Sequence, residues 1–184
     1  MDFNLTDDQR AIEDAARVFA AEEMAPHSAR WDEERHFPVD VLRKAAGLGF
    51  AGLYVAEDVG GSALSRLDAS IVFEQLSHGD VATAAFLSIH NMVSWMVDRF
   101  GSDDLRHRYL PRLTAMELIA SYCLTEPGSG SDAAALATTA TRDGDDYVLT
   151  GSKAFISGAG VSDVYLVMAR TGAPGAKGVS AFLV

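Results

Sequence analysis

Cysteine and lysine are scarce in this chain. Cys123 is the single cysteine, and three lysines stand against twelve arginines. One cysteine excludes an internal disulfide and a cluster of thiolate metal ligands, and the five histidines show no metal-ligand spacing. We therefore predict no metal site. We interpret the chain as a reduced protein of a bacterial cytoplasm, although a mature mitochondrial matrix protein would show the same composition.

Positive charge is also in short supply. Fifteen Lys and Arg face 26 Asp and Glu, so the formal net charge is −11 over 184 residues. Nucleic acid and anionic membranes repel such a surface at long range, and we predict neither as a partner. A phosphorylated cofactor is still compatible with this charge, because backbone N–H groups can hold phosphate.

Residues 81–97 contain no charged side chain and form the most apolar stretch of the chain. Polar residues such as His90 and Asn91 interrupt the stretch, which is slightly short for a bilayer span. We predict instead a helix that is buried on all sides within a bundle. His90 is then expected to be a core histidine with a hydrogen-bond partner.

Helix signals dominate the first two thirds of the chain. Thr6 and Gln9 have the spacing of a capping box, Pro38 suits the first turn of a helix, and Ser102 precedes two acids. These signals predict an all-α helical bundle over residues 1–116.

Strand signals follow, over residues 117–184. Asp143-Gly144 lies between residues 137–142 and 147–150, which predicts a β-hairpin, and residues 164–169 and 179–184 are typical of further strands. The predicted fold class is therefore α+β, with a helical bundle followed by an incomplete, β-barrel-like domain. Residues 179–184 would be an open edge, so we expect a truncated chain.

A glycine–hydroxyl loop, residues 124–132, follows one predicted strand. Gly128 and Gly130 would let backbone N–H groups approach a ligand closely, and Ser129 and Ser131 would add hydroxyl donors. The spacing of the glycines matches neither a Walker A loop nor a dinucleotide fingerprint. A simple turn is the alternative interpretation.

A second segment, residues 151–160, joins an aromatic ring to a hydroxyl. Phe155 and Ser157 are two residues apart and would share one side of a strand. Such a pair could stack on a flat heterocycle and bond its edge. A strand that ends in a flexible loop is the alternative.

Together the two segments resemble the acyl-CoA dehydrogenase family. The family signature Y-C-x-T-E-P-x-x-G-S-D is matched by residues 122–132, and G-x-K-x-aromatic-I-(Ser/Thr) is matched by residues 151–157. The resemblance extends over essentially the whole chain. Residues 88–92 and 152–160 are most similar to members that act on the short branched acyl-CoA of valine breakdown.

The resemblance implies an FAD site whose residues can be carried over one by one. Leu124 and Thr125 would meet the pyrimidine side of the isoalloxazine, while Gly130 and Ser131 would reach the pyrophosphate. Ser131 would also lie near the substrate thioester arm. Phe155 stands where the family usually has Trp, and Ser157 where Thr is common near flavin N5. The full implied set is Tyr122, Leu124, Thr125, Gly130, Ser131, Phe155, Ile156 and Ser157.

The resemblance also implies what these residues do not supply. In the family, a Glu carboxylate removes the α-proton while a hydride passes to flavin N5, and that base lies in a C-terminal helical domain beyond residue 184. We assign no catalytic residue here, and Glu126 is interpreted as an acceptor that fixes its loop. The implied partners are an acyl-CoA substrate, an electron-transfer flavoprotein and further copies in a homotetramer.

Three functions are compatible with these patterns. The first is FAD-dependent α,β-dehydrogenation of a short branched acyl-CoA. The second is a flavin oxidase on the same scaffold, and the third is a non-catalytic FAD-binding relative. If the protein comprises only these 184 residues, we expect no measurable dehydrogenation, because the base is missing.

Overall fold

A helical unit and a β unit divide the chain between Leu118 and Ile119, in a computed structural model that describes residues 4–184. The α-helices of the first unit are α1 Asp7–Phe19, α2 Ser28–Glu34, α3 Val39–Gly47, α4 Arg66–Gly79, α5 Val81–Phe100 and α6 Asp103–Thr114. A π-helical turn, Ala20–Met24, continues α1. None of the helices in the described part of the chain is long and apolar enough to cross a membrane.

Capping hydrogen bonds occur at the helix starts that the sequence predicts. The Thr6 hydroxyl accepts a hydrogen bond from the Gln9 N–H at 3.1 Å, and the Gln9 side chain accepts one from the Thr6 N–H at 3.1 Å. The Ser102 hydroxyl caps α6 in the same way, through the Leu105 N–H. Because these contacts span three residues, the sequence alone reveals them.

Helix α5 is not buried on all sides, so that prediction was wrong. Phe86, Leu87 and Val93 are buried, but Val81 is 69 % exposed. A helix turns 100° per residue, and the α-helices packed around α5 in this unit cover only one of its faces. The absence of charged residues therefore led to a prediction of more complete burial than the helix has.

The buried polar residues of α5 are satisfied, as predicted for His90. Its Nε2–H donates to the Leu113 carbonyl at 2.9 Å, and burial lowers the His90 pKa to about 4, so the ring is neutral. Asn91 holds the turn after α3. Its Oδ1 accepts the Leu53 N–H at 2.7 Å, and its Nδ2 donates to the Phe50 carbonyl at 2.8 Å. These long-range bonds join α5 to residues about forty positions earlier.

Replacing Asn91 tests the importance of that turn. Asn91→Ala leaves two buried backbone groups without partners, so we expect the free energy of unfolding to fall by about 2–4 kcal/mol. Urea unfolding measures this change in the free energy of unfolding. Ser88→Ala on the same helix is the control and should cost less than about 1 kcal/mol. Equal losses in the two variants would contradict this role of Asn91.

Five strands of the β unit form one mixed sheet. They are β1 Ala120–Cys123, β2 Thr139–Asp143, β3 Asp146–Thr150, β4 Val164–Arg170 and β5 Val179–Leu183. β4 pairs in parallel with β1 and, at one residue pair, with β2, and it pairs antiparallel with β5. The predicted hairpin is confirmed as β2–β3, with Gly144 and Asp145 in its tip.

The open edge predicted at residues 179–184 is confirmed. β5 runs antiparallel to β4 in a register that matches Leu166 with Leu183 and Arg170 with Val179. Among the described residues, the other side of β5 has no strand partner, so β5 is an edge strand of the sheet.

Candidate functional site

The glycine–hydroxyl loop leaves the end of β1 and turns back at once. The Glu126 N–H donates to the Ser129 carbonyl at 2.8 Å, and the Ser129 N–H donates to the Glu126 carbonyl at 3.1 Å. These two bonds leave Pro127 and Gly128 at the tip of a tight turn. The Ser129 hydroxyl donates to the Asp132 carbonyl, and Ser129 is buried. Ser129 is thus not available as a ligand donor, contrary to the prediction.

Glu126 fixes this loop, as predicted. Its carboxylate accepts the N–H groups of Ala137 and Thr138 at 2.6 and 2.9 Å and the Lys153 ammonium at 2.8 Å. Burial on its own would raise the pKa of Glu126, but these donors lower it to about 2. Such a carboxylate is a poor proton acceptor at neutral pH, which supports the decision to assign it no basic role.

Phe155 and Ser157 do not share a strand, so that prediction was wrong. β3 ends at Thr150, and residues 151–163, here named the Phe155 loop, follow a turn-rich path. The Ala154 N–H donates to the Thr125 carbonyl at 2.9 Å, a contact that takes the backbone away from the sheet. Phe155 then adopts a positive φ of 56°, which a strand residue does not have.

The ring of Phe155 is 94 % exposed. Ser157 is half-buried, and its carbonyl accepts the Ser121 hydroxyl from β1. Phe155 therefore presents an open aromatic face beside a residue that is fixed to the sheet. The segment is a loop, as in the alternative interpretation, and a role of Phe155 and Ser157 toward a ligand stays a prediction.

The structure brings most of the predicted residues to one end of β1. Hydrogen bonds join Thr125 to Ala154 and Ser121 to Ser157, and a Cβ at Gly130 would lie 4.0 Å from Thr125 Cγ2. Tyr122 and Ile156 are half-buried, while Ser131 is exposed. Among the described residues, no hydrogen bond joins Ser131 to the Phe155 loop.

Unused donors line these two loops. Within the part of the chain that the structure describes, the N–H groups and hydroxyls of Thr125, Ser131 and Ser157 donate no hydrogen bond. Gly130 has open space around it, because the only atom near an added Cβ is Thr125 Cγ2. Neither packing nor a positive φ requires glycine there. N–H groups and hydroxyls without acceptors, around a glycine with free space beside it, suit a ligand that carries a phosphate and a ring with polar edge atoms.

Comparison with known proteins tests this assignment. The N-terminal domain of acyl-CoA dehydrogenases matches residues 6–117, and the middle domain of the same family matches residues 121–184. The chain belongs to the acyl-CoA dehydrogenase family. The resemblance read from residues 122–132 and 151–157 is confirmed.

Three proteins similar to this acyl-CoA dehydrogenase family member place it more closely. Mitochondrial isobutyryl-CoA dehydrogenase of Bos taurus is 59% identical over 180 residues, which are 98% of this chain and 43% of the bovine protein. A glutaryl-coenzyme A dehydrogenase in complex with glutaryl-CoA is 34% identical with a TM-score of 0.94, and the match covers 100% of this chain and 48% of that one. The FAD complex of PigA is 34% identical with a TM-score of 0.93, over 100% and 49% of the two chains. The chain thus spans about half the length of the proteins it matches.

Sequence reasoning missed the residues that hold the two loops together. Lys153 and Ser121 received no role, although each contacts a predicted ligand loop. Arg170 was also missed. Its guanidinium donates to the carbonyls of Ala134, Leu136, Ala173 and Gly175. The one available signal was Lys153 itself, a rare lysine within one matched motif, while the acid Glu126 lies in the other.

The lowered pKa of Glu126 predicts acid sensitivity. Its pKa falls from an ordinary 4.5 to about 2 on folding, so Glu126 stabilises the fold above about pH 4.5. This stabilisation is lost as the pH falls through about 2. Urea unfolding at several pH values between about 5 and 2 measures it. The wild type should lose more stability over this window than Glu126→Gln, and parallel curves would contradict the assignment.

Proposed function

We propose that this protein binds FAD at the two loops of its β unit and oxidises a short branched acyl-CoA, with isobutyryl-CoA preferred. The observation that carries the proposal is the set of open donors around Gly130 and Thr125, beside the exposed ring of Phe155. Identity of 59% to a bovine isobutyryl-CoA dehydrogenase supports the choice of substrate.

Each loop has a separate task in this proposal. Leu124 and Thr125 meet the pyrimidine side of the isoalloxazine, and the N–H groups at Gly130 and Ser131 bind the pyrophosphate. Phe155 packs on the face of the ring, and the Ser157 hydroxyl donates near N5. Tyr122 and Ile156 complete the surroundings as half-buried neighbours. When bound, FAD supplies the acceptor for a hydride from the acyl β-carbon.

The CoA arm has a cleft available next to Ser131. The cleft encloses about 500 Å³ and is lined by Asp132, Ala134, Ala135, Leu136, Ala137, Arg170, Pro174 and Gly175. Arg170 forms no ion pair with a carboxylate among the described residues. The N–H donors of Arg170 are engaged by the loop carbonyls, so Arg170 offers a CoA phosphate only long-range attraction, which the Asp132 carboxylate in the same cleft opposes.

No described residue is proposed as the base that removes the α-proton. Glu126 is engaged by three donors, and its pKa of about 2 makes it a weak base. This segment therefore supplies the flavin side of the reaction. We propose an electron-transfer flavoprotein as the electron acceptor, a homotetramer as the assembly and a bacterial cytoplasm as the compartment.

Substitution at Gly130 tests the phosphate loop. In Gly130→Val, a branched side chain fills the space above the loop, so we expect FAD to bind at least about tenfold more weakly. Fluorescence titration of FAD measures the affinity. Gly47→Val is the matched control, because a Cβ at Gly47 meets no atom within 4 Å and one at Gly130 meets only Thr125 Cγ2, at 4.0 Å. Full FAD affinity in Gly130→Val would show that the loop is only a turn.

Substrate comparison tests the reaction itself. Under anaerobic conditions, isobutyryl-CoA should bleach the flavin of a purified protein that contains this segment together with the catalytic base faster than butyryl-CoA and octanoyl-CoA do, because the resemblance favours a short branched chain. Stopped-flow absorbance follows the bleaching, and air is then admitted. Slow reoxidation is expected of a dehydrogenase, whereas rapid reoxidation would favour the oxidase. Octanoyl-CoA as the fastest substrate would refute the branched-chain proposal.

A further inference from the structure

The Phe155 loop is held at its start by a buried lysine. The Lys153 side chain is only 11% exposed, and its ammonium donates to the Leu124 carbonyl at 3.0 Å and to Glu126 at 2.8 Å. The next residue, Ala154, donates its N–H to the Thr125 carbonyl at 2.9 Å. Two consecutive residues thus fix this loop to the glycine–hydroxyl loop, across 29 positions of sequence.

The loop is held at its other end by a buried serine. The Ser121 side chain donates to the Ser157 carbonyl, and its oxygen lies 2.6 Å from the Ser162 hydroxyl. Ser121 lies in β1 and has no exposed surface. Ser157 therefore has a fixed position relative to the sheet, although it lies outside any strand.

Phe155 lies between these two fixed points, and its backbone and side chain are in an energetically unfavourable conformation. A positive φ is uncommon for a bulky residue, and an exposed ring gains nothing from burial. Among the described residues, Phe155 takes part in no ring-to-ring contact that would offset this cost. A free loop would relax toward a state that covers the ring. The fixed ends oppose that relaxation.

Building on the proposed function, we propose that Lys153 is the positioning residue of the flavin site, with Ser121 as its counterpart at the far end of the loop. Lys153 joins the carbonyl of Leu124 to the loop that presents Phe155 and Ser157. The two halves of the site are then set before FAD arrives. Preorganisation of this kind improves affinity, because binding no longer has to order the loop.

A purely structural role is the competing explanation. A buried ion pair also affects folding, and removing one partner leaves an unpaired buried charge. A structural role would lower global stability without a specific effect on residues 154–157 or on the bound flavin. The two explanations therefore differ in where the change occurs.

Substitution of Lys153 distinguishes the positioning role from the purely structural role. Lys153→Met is compared with Lys177→Met, which removes an exposed lysine of the same unit. Amide hydrogen exchange in the flavin-free protein measures how often the loop opens. FAD titration measures the affinity, and the visible absorption spectrum of bound flavin reports the environment of the ring. Ser121→Ala is the second variant, because it releases the far end of the loop without a change of charge.

We expect Lys153→Met to speed exchange at the hydrogen-bonded amides of Ala154 and Ala159 about tenfold and to weaken FAD binding about tenfold, with an altered flavin spectrum. Ser121→Ala should change the same readouts in the same direction, and Lys177→Met should stay within about twofold of the wild type. Should Lys153→Met fail to fold, Ser121→Ala decides by the same criteria.

The inference is overturned if exchange at the Ala154 and Ala159 amides and FAD affinity stay within about twofold of the wild type. It is also overturned if Lys153→Met lowers only global stability and leaves local exchange and the flavin spectrum unchanged. A wild type that binds no FAD refutes the proposed function as well. If the wild type binds FAD and Lys153→Met leaves amide exchange, FAD affinity and the flavin spectrum unchanged, this inference alone is refuted.

Discussion

One buried carboxylate organises the β unit. Glu126 is 8 % exposed, and it accepts hydrogen bonds from the two residues that precede β2 and from the Phe155 loop. A buried carboxylate is costly unless such donors compensate its charge. Because the donors come from separate segments, the charge of Glu126 joins them around the end of β1. The tight turn after Glu126 then presents Gly130 and Ser131 to solvent.

This arrangement explains how a segment with so little positive charge can hold an anionic cofactor. The ammonium of Lys153 is neutralised within the protein by Glu126, and Arg170 is engaged by backbone carbonyls. Phosphate would instead meet backbone N–H groups and hydroxyls, which carry no formal charge. An acidic protein can therefore offer a local phosphate site in spite of its net negative charge.

Short-range chemistry was predictable from the sequence, and long-range contacts were not. The capping box at Thr6 and the turn at Gly144 depend on residues within a few positions, and both were predicted. The path of the Phe155 loop depends on Lys153 and Ser121, whose partners lie 29 and 36 positions away. The same limit applies to α5, whose exposed face is decided by the helices that pack on it. The family signature led to the candidate site, but strand alternation gave the wrong geometry for Phe155 and Ser157.

The most direct test of this account is the structure of the purified protein crystallised with FAD. The account predicts an isoalloxazine that contacts Thr125 and Phe155, with the pyrophosphate at the N–H groups of Gly130 and Ser131. It also predicts that the Phe155 loop keeps the conformation described above, since Lys153 and Ser121 already hold it. FAD bound at another surface, or a Phe155 loop rebuilt around the flavin, would contradict the account.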